Sequence, residues 1–178
     1  MKFTETKLKG AFIIEIEKLE DERGFFGRSW CAIEMKTHGL NTNICQANVS
    51  FNKVKATLRG MHYQVAPYQE AKIVRCSRGS IYDVIIDLRK DSPTFKKWIA
   101  VELTQDNYKM IYIPEDFAHG FITLEDNTEV SYLMTEFYVP GASATIRWND
   151  PMFNIEWPLE PTFISEKDKS QPDFKIIS

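Results

Sequence analysis

KIVRCSRGSIYDVIIDLR, residues 72–89, decides the fold. It contains two apolar runs separated by the turn former RGS, each short enough for a strand and neither followed by a long segment of helical period. Alternate side chains of a strand face opposite sides of a sheet, so Lys72, Val74 and Cys76 share one face. Working outward, KKWIAVELT, YKMIYIP, HGFITLE and TEVSYLMTEFYV repeat the pattern, with KDSPT, QDN, PED and EDN between them. Turn signals about every dozen residues predict an all-β sandwich or barrel. In the last run Val130, Tyr132 and Met134 share a face. A lysine and a tyrosine on otherwise apolar faces place those faces inside a barrel.

Helices are expected only at the periphery. SWCAIEMKTHGL, residues 29–40, predicts a short helix from Ser29 to a stop at Gly39, and SEKDKSQPDFK starts with another helical turn. No repeat, linker or low-complexity tract divides the chain, so residues 1–178 are expected to form one domain.

Composition narrows the function classes. The chain is 43% hydrophobic and 26% charged, the balance of a globular protein with a real core. Its net charge of −3 comes from interspersed acids and bases, which gives no footprint for nucleic acid or an anionic membrane. The N-terminal apolar run is broken by Glu15 and Glu17, so it predicts neither a signal peptide nor a membrane span, and a cytoplasmic location is expected. Cys31, Cys45 and Cys76 form no CxxC pair and are expected to be free packing residues in a reducing compartment.

The chemistry centres on LRGMHYQ, residues 58–64. His62 could be a hydrogen-bonded core ring, a metal ligand or a base. Metal binding is disfavoured because Gln64 stands where an HxH pair would need histidine, and only three histidines exist. His119, in PEDFAHGF, also enters a strand beside glycine, which weakens the packing reading for both. Arg23 and Arg59 adjoin glycines and carry the forked donors that suit a diphosphate. Strict alternation would put Arg59 and His62 on opposite faces, so a shared site requires a bulge at Gly60. Other candidates have plain structural readings: Asp168 as the acid of a capping box begun by Ser165, Tyr132 as a cross-strand aromatic, and Lys72 as a solvated edge lysine pairing with Glu70.

Taken in order, these stretches resemble the dTDP-4-dehydrorhamnose 3,5-epimerases, the RmlC family. The resemblance runs through DERGFF (21–26), QANVS (46–50), LRGMHYQ, KIVRCSRGSIYDVIIDLRKDSPTFKKW (72–98), IPEDFAHGF (113–121), TEVSYLMTEFY (128–138), IRWNDP (146–151) and ISEKD (164–168). It implies a cupin-type jelly roll, a homodimer exchanging N-terminal strands, and a metal-free, cofactor-free enzyme acting on a nucleotide-linked 4-keto-6-deoxyhexose. By matching motifs, His62 is implied as the base, Asp168 as its carboxylate partner, Tyr132 as the opposing acid, and Lys72 and His119 as contacts near the sugar. Arg23, Gln46, Asn48 and Arg59 match positions that hold the nucleotide diphosphate, and Phe26 and Tyr138 join them as substrate-binding positions. Two positions depart from the family pattern, because Arg28 and Ser143 replace glutamates associated with the nucleotide end.

The implied chemistry is physically coherent. A C4 ketone acidifies the protons at C3 and C5, since removing either gives an enolate with its charge on the C4 oxygen. Inversion needs a base on one face and a proton source on the other, while a neighbouring cation such as Lys72 stabilises the enolate. A single-carbon epimerase or ketoisomerase on a dTDP-, CDP- or GDP-linked sugar would share these groups, and a non-catalytic sugar-nucleotide binder could dispense with them.

Overall fold

The computed structural model describes residues 1–175. Strands β1 (Lys2–Glu5) and β2 (Phe12–Glu15) precede a small hairpin of β3 (Leu19–Asp21) and β4 (Gly24–Phe26), followed by helix α1 (Ala32–Thr37). Eight strands come next: β5 (Gln46–Asn52), β6 (Thr57–Gln64), β7 (Lys72–Arg78), β8 (Ser80–Asp87), β9 (Trp98–Thr104), β10 (Met110–Ile113), β11 (Phe117–Thr123) and β12 (Thr128–Met134). Short strands β13 (Ser143–Thr145) and β14 (Phe163–Ile164) and the one-turn helix α2 (Glu166–Lys169) follow.

Two sheets face each other. One runs β1-β2-β10-β7-β12-β5; the other runs β13-β6-β11-β8-β9, with β14 parallel to β6. This is the all-β sandwich expected from the spacing of the strands, in the cupin-type jelly-roll form that the family resemblance implied. Val74, Cys76 and Val130 from the first sheet meet Ile81, Ile85, Leu103, Phe117 and Phe121 from the second in one buried cluster. Each such side chain removed from water contributes about 1.5–3 kcal/mol. Lys72 pairs with Met134, Val74 with Tyr132 and Cys76 with Val130. The two rows distinguished in the sequence are therefore a single inner face shared by neighbouring strands.

The outer faces are covered separately. Met35 of α1 packs on Ile14, Ile73 and Tyr112 behind the first sheet, and Phe153 packs on Met61, Val84 and Ile86 behind the second. Helix α1 begins later than the sequence suggested: its N-cap is Cys31, whose side chain caps nothing, rather than Ser29. Gly39 ends it as expected, in the left-handed region at φ +71°. Among the cysteines only Cys76 is buried; Cys45 is exposed rather than a packing residue.

The bulge expected in β6 is present. His119 lies opposite His62 and Phe121 opposite Arg59, so β6 spends three steps where β11 spends two. Gly60 sits in this bulge at φ +119°, and a Cβ there would lie 2.5 Å from the Gly120 Cα. A Cβ on Gly120 would in turn lie 2.7 Å from the Arg59 carbonyl oxygen. Two glycines facing each other let the strands close around the bulge, which turns Arg59 and His62 to the same side.

Candidate active site

A cavity of about 530 Å³ opens between the sheets, with Arg59 and His62 from β6, Lys72 from β7, His119 from β11 and Tyr132 from β12 on its walls. Gln46 and Asn48 of β5 and Tyr138 beyond β12 line it too. Of the residues proposed from sequence, Asp168 reaches this space through His62. Arg23 and Phe26 do not line it. They lie on the exposed β3–β4 hairpin, where Arg23 bonds Asp21 at 2.5 Å and Phe26 is 73% exposed.

Asp168 reaches His62 because the edge of β6 is interrupted. β13 pairs with residues 62–64 of β6 and β14 with residues 57 and 58, leaving Gly60 between them without a ladder partner. Helix α2 follows β14 directly and places the Asp168 carboxylate in that gap. One oxygen lies 2.6 Å from His62 Nε2, and the other accepts the Gly60 N–H at 3.3 Å. The cap read from the sequence also exists, since Ser165 Oγ accepts the Asp168 backbone N–H at 3.1 Å. Only the amide serves the cap; the acid serves the histidine. Burial alone would raise the Asp168 carboxyl, but the hydrogen bond and charge of His62, the Gly60 N–H and Ser165 together hold it below its ordinary value. A carboxylate accepting Nε2–H leaves Nδ1 of His62 with its lone pair, and the side chain is 40% exposed. That nitrogen can take a proton from a molecule in the cavity.

On the facing sheet Tyr132 lies between Val74 and Asn48. Burial raises its phenol above the ordinary value, and the charge of Arg59 offsets this only in part. The phenol stays protonated near neutrality and can donate. Lys72 is a buried lysine in the middle of its sheet, which corrects the edge-lysine reading, although the anticipated Glu70 partner is real at 2.7 Å. Glu70 thus holds its amine in a nearly dry wall, where its N–H donors suit an oxyanion.

Arg59 is aimed by a residue that sequence reasoning missed. Asn52 Oδ1 accepts from Arg59 Nε at 2.7 Å, while the Asn52 amide donates to the Ser50 and Thr128 carbonyls. Among the described residues the guanidinium's other nitrogens bond no group, and Arg59 borders the cavity. Gln46 accepts the Tyr138 backbone N–H at 3.1 Å, and Gln64 accepts that of Val139 at 2.6 Å, so two cavity glutamines fix the segment carrying Tyr138. Lys167, on α2 beside Asp168, is a further cation on the cavity wall that the sequence reading passed over. Of the two departures from the family pattern, Ser143 lines the cavity, whereas Arg28 sits outside it, bonded to Glu34. Among the described residues no three His, Cys, Asp or Glu side chains converge as metal ligands.

A jelly roll whose interior presents an imidazole, a phenol and a buried lysine from facing sheets fits a cupin-type isomerase. The family model described as dTDP-4-dehydrorhamnose 3,5-epimerase matches residues 5–175. A protein of that name from Methanothermobacter thermautotrophicus is 43% identical over 95% of this chain and 92% of its own length. The crystal structure of the Bacillus anthracis enzyme with TDP and PPi bound has a TM-score of 0.93 at 39% identity, covering 97% of this chain and 99% of its own. The Legionella pneumophila enzyme in complex with dTDP-4-keto-L-rhamnose has a TM-score of 0.86 at 35% identity, covering 94% of this chain and 89% of its own. The chain belongs to the dTDP-4-dehydrorhamnose 3,5-epimerase family.

Proposed function

We propose that the chain, working as one catalytic domain, inverts C3 and C5 of dTDP-4-dehydro-6-deoxy-D-glucose to give dTDP-4-dehydro-L-rhamnose in deoxysugar biosynthesis. The observation that carries this reading is the His62–Asp168 pair on one sheet facing Tyr132 on the other, with Lys72 in the same cavity. Nδ1 of His62 removes the proton at C3 or C5, and the electron pair moves onto the C4 oxygen, where the Lys72 ammonium stabilises it. The Tyr132 hydroxyl returns a proton from the other face. A positioned acid or base contributes about 10²- to 10⁴-fold, so the oxyanion contact must supply much of the remainder. Arg59, Gln46 and Asn48 hold the diphosphate end, His119 contacts the sugar, and Tyr138 contacts the nucleotide.

Arg23 and Phe26 enter this reading through a second copy. The hairpin leaves Leu19 and Phe26 exposed, and Val49 and Phe51 at the cavity are exposed as well. A homodimer exchanging N-terminal strands covers these surfaces and brings the hairpin to the neighbouring cavity. Among the described residues no helix is long and apolar enough to cross a membrane.

The test is incubation with dTDP-4-keto-6-deoxyglucose in D₂O, following the C3 and C5 protons by NMR. Deuterium at both carbons with formation of the L-sugar is expected. Deuterium at C3 alone would identify a single-carbon epimerase, and exchange only with a CDP- or GDP-linked substrate would reassign the base. Tyr132→Phe should continue to exchange protons while product formation falls about 10²-fold or more.

A further inference from the structure

His119 is held in the same way as His62, by a carboxylate on its Nε2. Asp83 Oδ2 lies 2.8 Å from that nitrogen, and Asp83 is fully buried. Asp83 occupies the inner row of β8 between Ile81 and Ile85, both members of the apolar core. Its second oxygen, Oδ1, is buried with no hydrogen-bond partner. Packing alone disfavours this arrangement, because a buried carboxylate oxygen without a partner is costly and an apolar side chain would fill the row. Nothing in the proposed chemistry has yet used it.

The direction of the bond supplies the use. A carboxylate can only accept, so Nε2 of His119 must carry the hydrogen, and in the neutral ring Nδ1 then carries the lone pair. Among the described residues no protein group is bonded to Nδ1, and the ring borders the cavity. His119 is the cross-strand partner of His62, so the two rings stand side by side on adjacent strands. Lys72, which has no acceptor atom, serves the ketone; the hydroxyls of the sugar need acceptors.

We infer that Asp83 is a positioning residue that fixes the His119 tautomer, so that Nδ1 accepts a hydrogen bond from a ring hydroxyl of the bound sugar beside the His62 base. The inference rests on the epimerase reading and adds a residue to it. Asp83 touches no substrate; it acts through His119.

Two measurements decide it. In the ¹⁵N-labelled wild-type protein at pH 8, which has only three histidines to assign, His119 should show a protonated Nε2 and an unprotonated Nδ1. A Nδ1–H tautomer or a doubly protonated ring would overturn the assignment without any variant. Asp83→Asn should bind dTDP with unchanged affinity, bind dTDP-6-deoxy-D-glucose roughly 10-fold more weakly, and turn over about 10- to 100-fold more slowly, the range for one lost hydrogen bond that leaves its enclosed partner unsatisfied. Unchanged sugar affinity and turnover in a folded variant would overturn the inference, as would a drop in Tm with normal kinetics. A wild-type protein inactive on the keto-sugar would instead refute the epimerase reading, which keeps the two failures apart.

Discussion

The two imidazole–carboxylate pairs of this barrel share geometry and differ in environment. His62 opens to the cavity with its side chain 40% exposed, and Asp168 has both oxygens partnered, one by the ring and one by the Gly60 amide. His119 is 10% exposed at its side chain, and Asp83 has one oxygen partnered and the other stranded. The ionised form wins at Asp168, which is held below its ordinary value. At Asp83 burial pushes the carboxyl up, with the hydrogen bond from His119 and the charge of Lys72 opposing. Identical chemical groups thus come out with opposite shifts because Asp83 is more deeply buried and has fewer donors around it than Asp168. One pair is open to the cavity and fully partnered; the other is enclosed, and among the described residues one of its carboxylate oxygens has no partner.

The sharpest way to break this contrast is to remove each ring. His62→Ala should abolish deuterium exchange at both C3 and C5, a loss of 10³-fold or more, with dTDP affinity nearly intact. His119→Ala should slow turnover by about 10- to 100-fold while both carbons still exchange. Equal losses in the two variants would erase the division of labour. Asp168→Asn comes next, with an expected loss of about 10²- to 10³-fold in kcat at unchanged dTDP affinity, read in steady-state kinetics.

Stability measurements sharpen the comparison further. The folded Asp168 value is depressed, so its contribution is present above the unfolded value of about 3.9 and is lost as pH falls through the folded one. Asp83 has the opposite sign: its raised folded value favours the fold at low pH and loses that contribution as pH rises. Asp168→Asn should therefore flatten the acid limb of the Tm–pH curve. Asp83→Asn should raise Tm at pH 7 by roughly 2–4 °C, the shift expected for about 1 kcal/mol in a chain of this size.

Much of the scaffold was legible from local pattern. Alternation marked the strands, and the demand that Arg59 and His62 share a site located the bulge at Gly60 before any coordinate did. Local pattern also misled at its limits. Ser165 and Asp168 do form a helix start, but a cap signal says nothing about a side chain whose partner lies 106 residues away. Arg23 and Phe26 carry a motif, yet a motif does not tell where its hairpin sits, and here it lies exposed and away from the cavity. Asp83 was readable and missed: in IYDVIID an aspartate breaks a row that otherwise holds Ile81 and Ile85. Asn52 was hidden because its role depends on which neighbour the sheet order supplies, whereas the Lys72–Glu70 pair was legible and only the burial of Lys72 was not.

Helix α2 follows every strand of both sheets in chain order. Both sheets can therefore be complete without the turn that carries Asp168, and undocking that turn alone would take the carboxylate from His62 Nε2 and the Gly60 N–H while leaving the barrel in place.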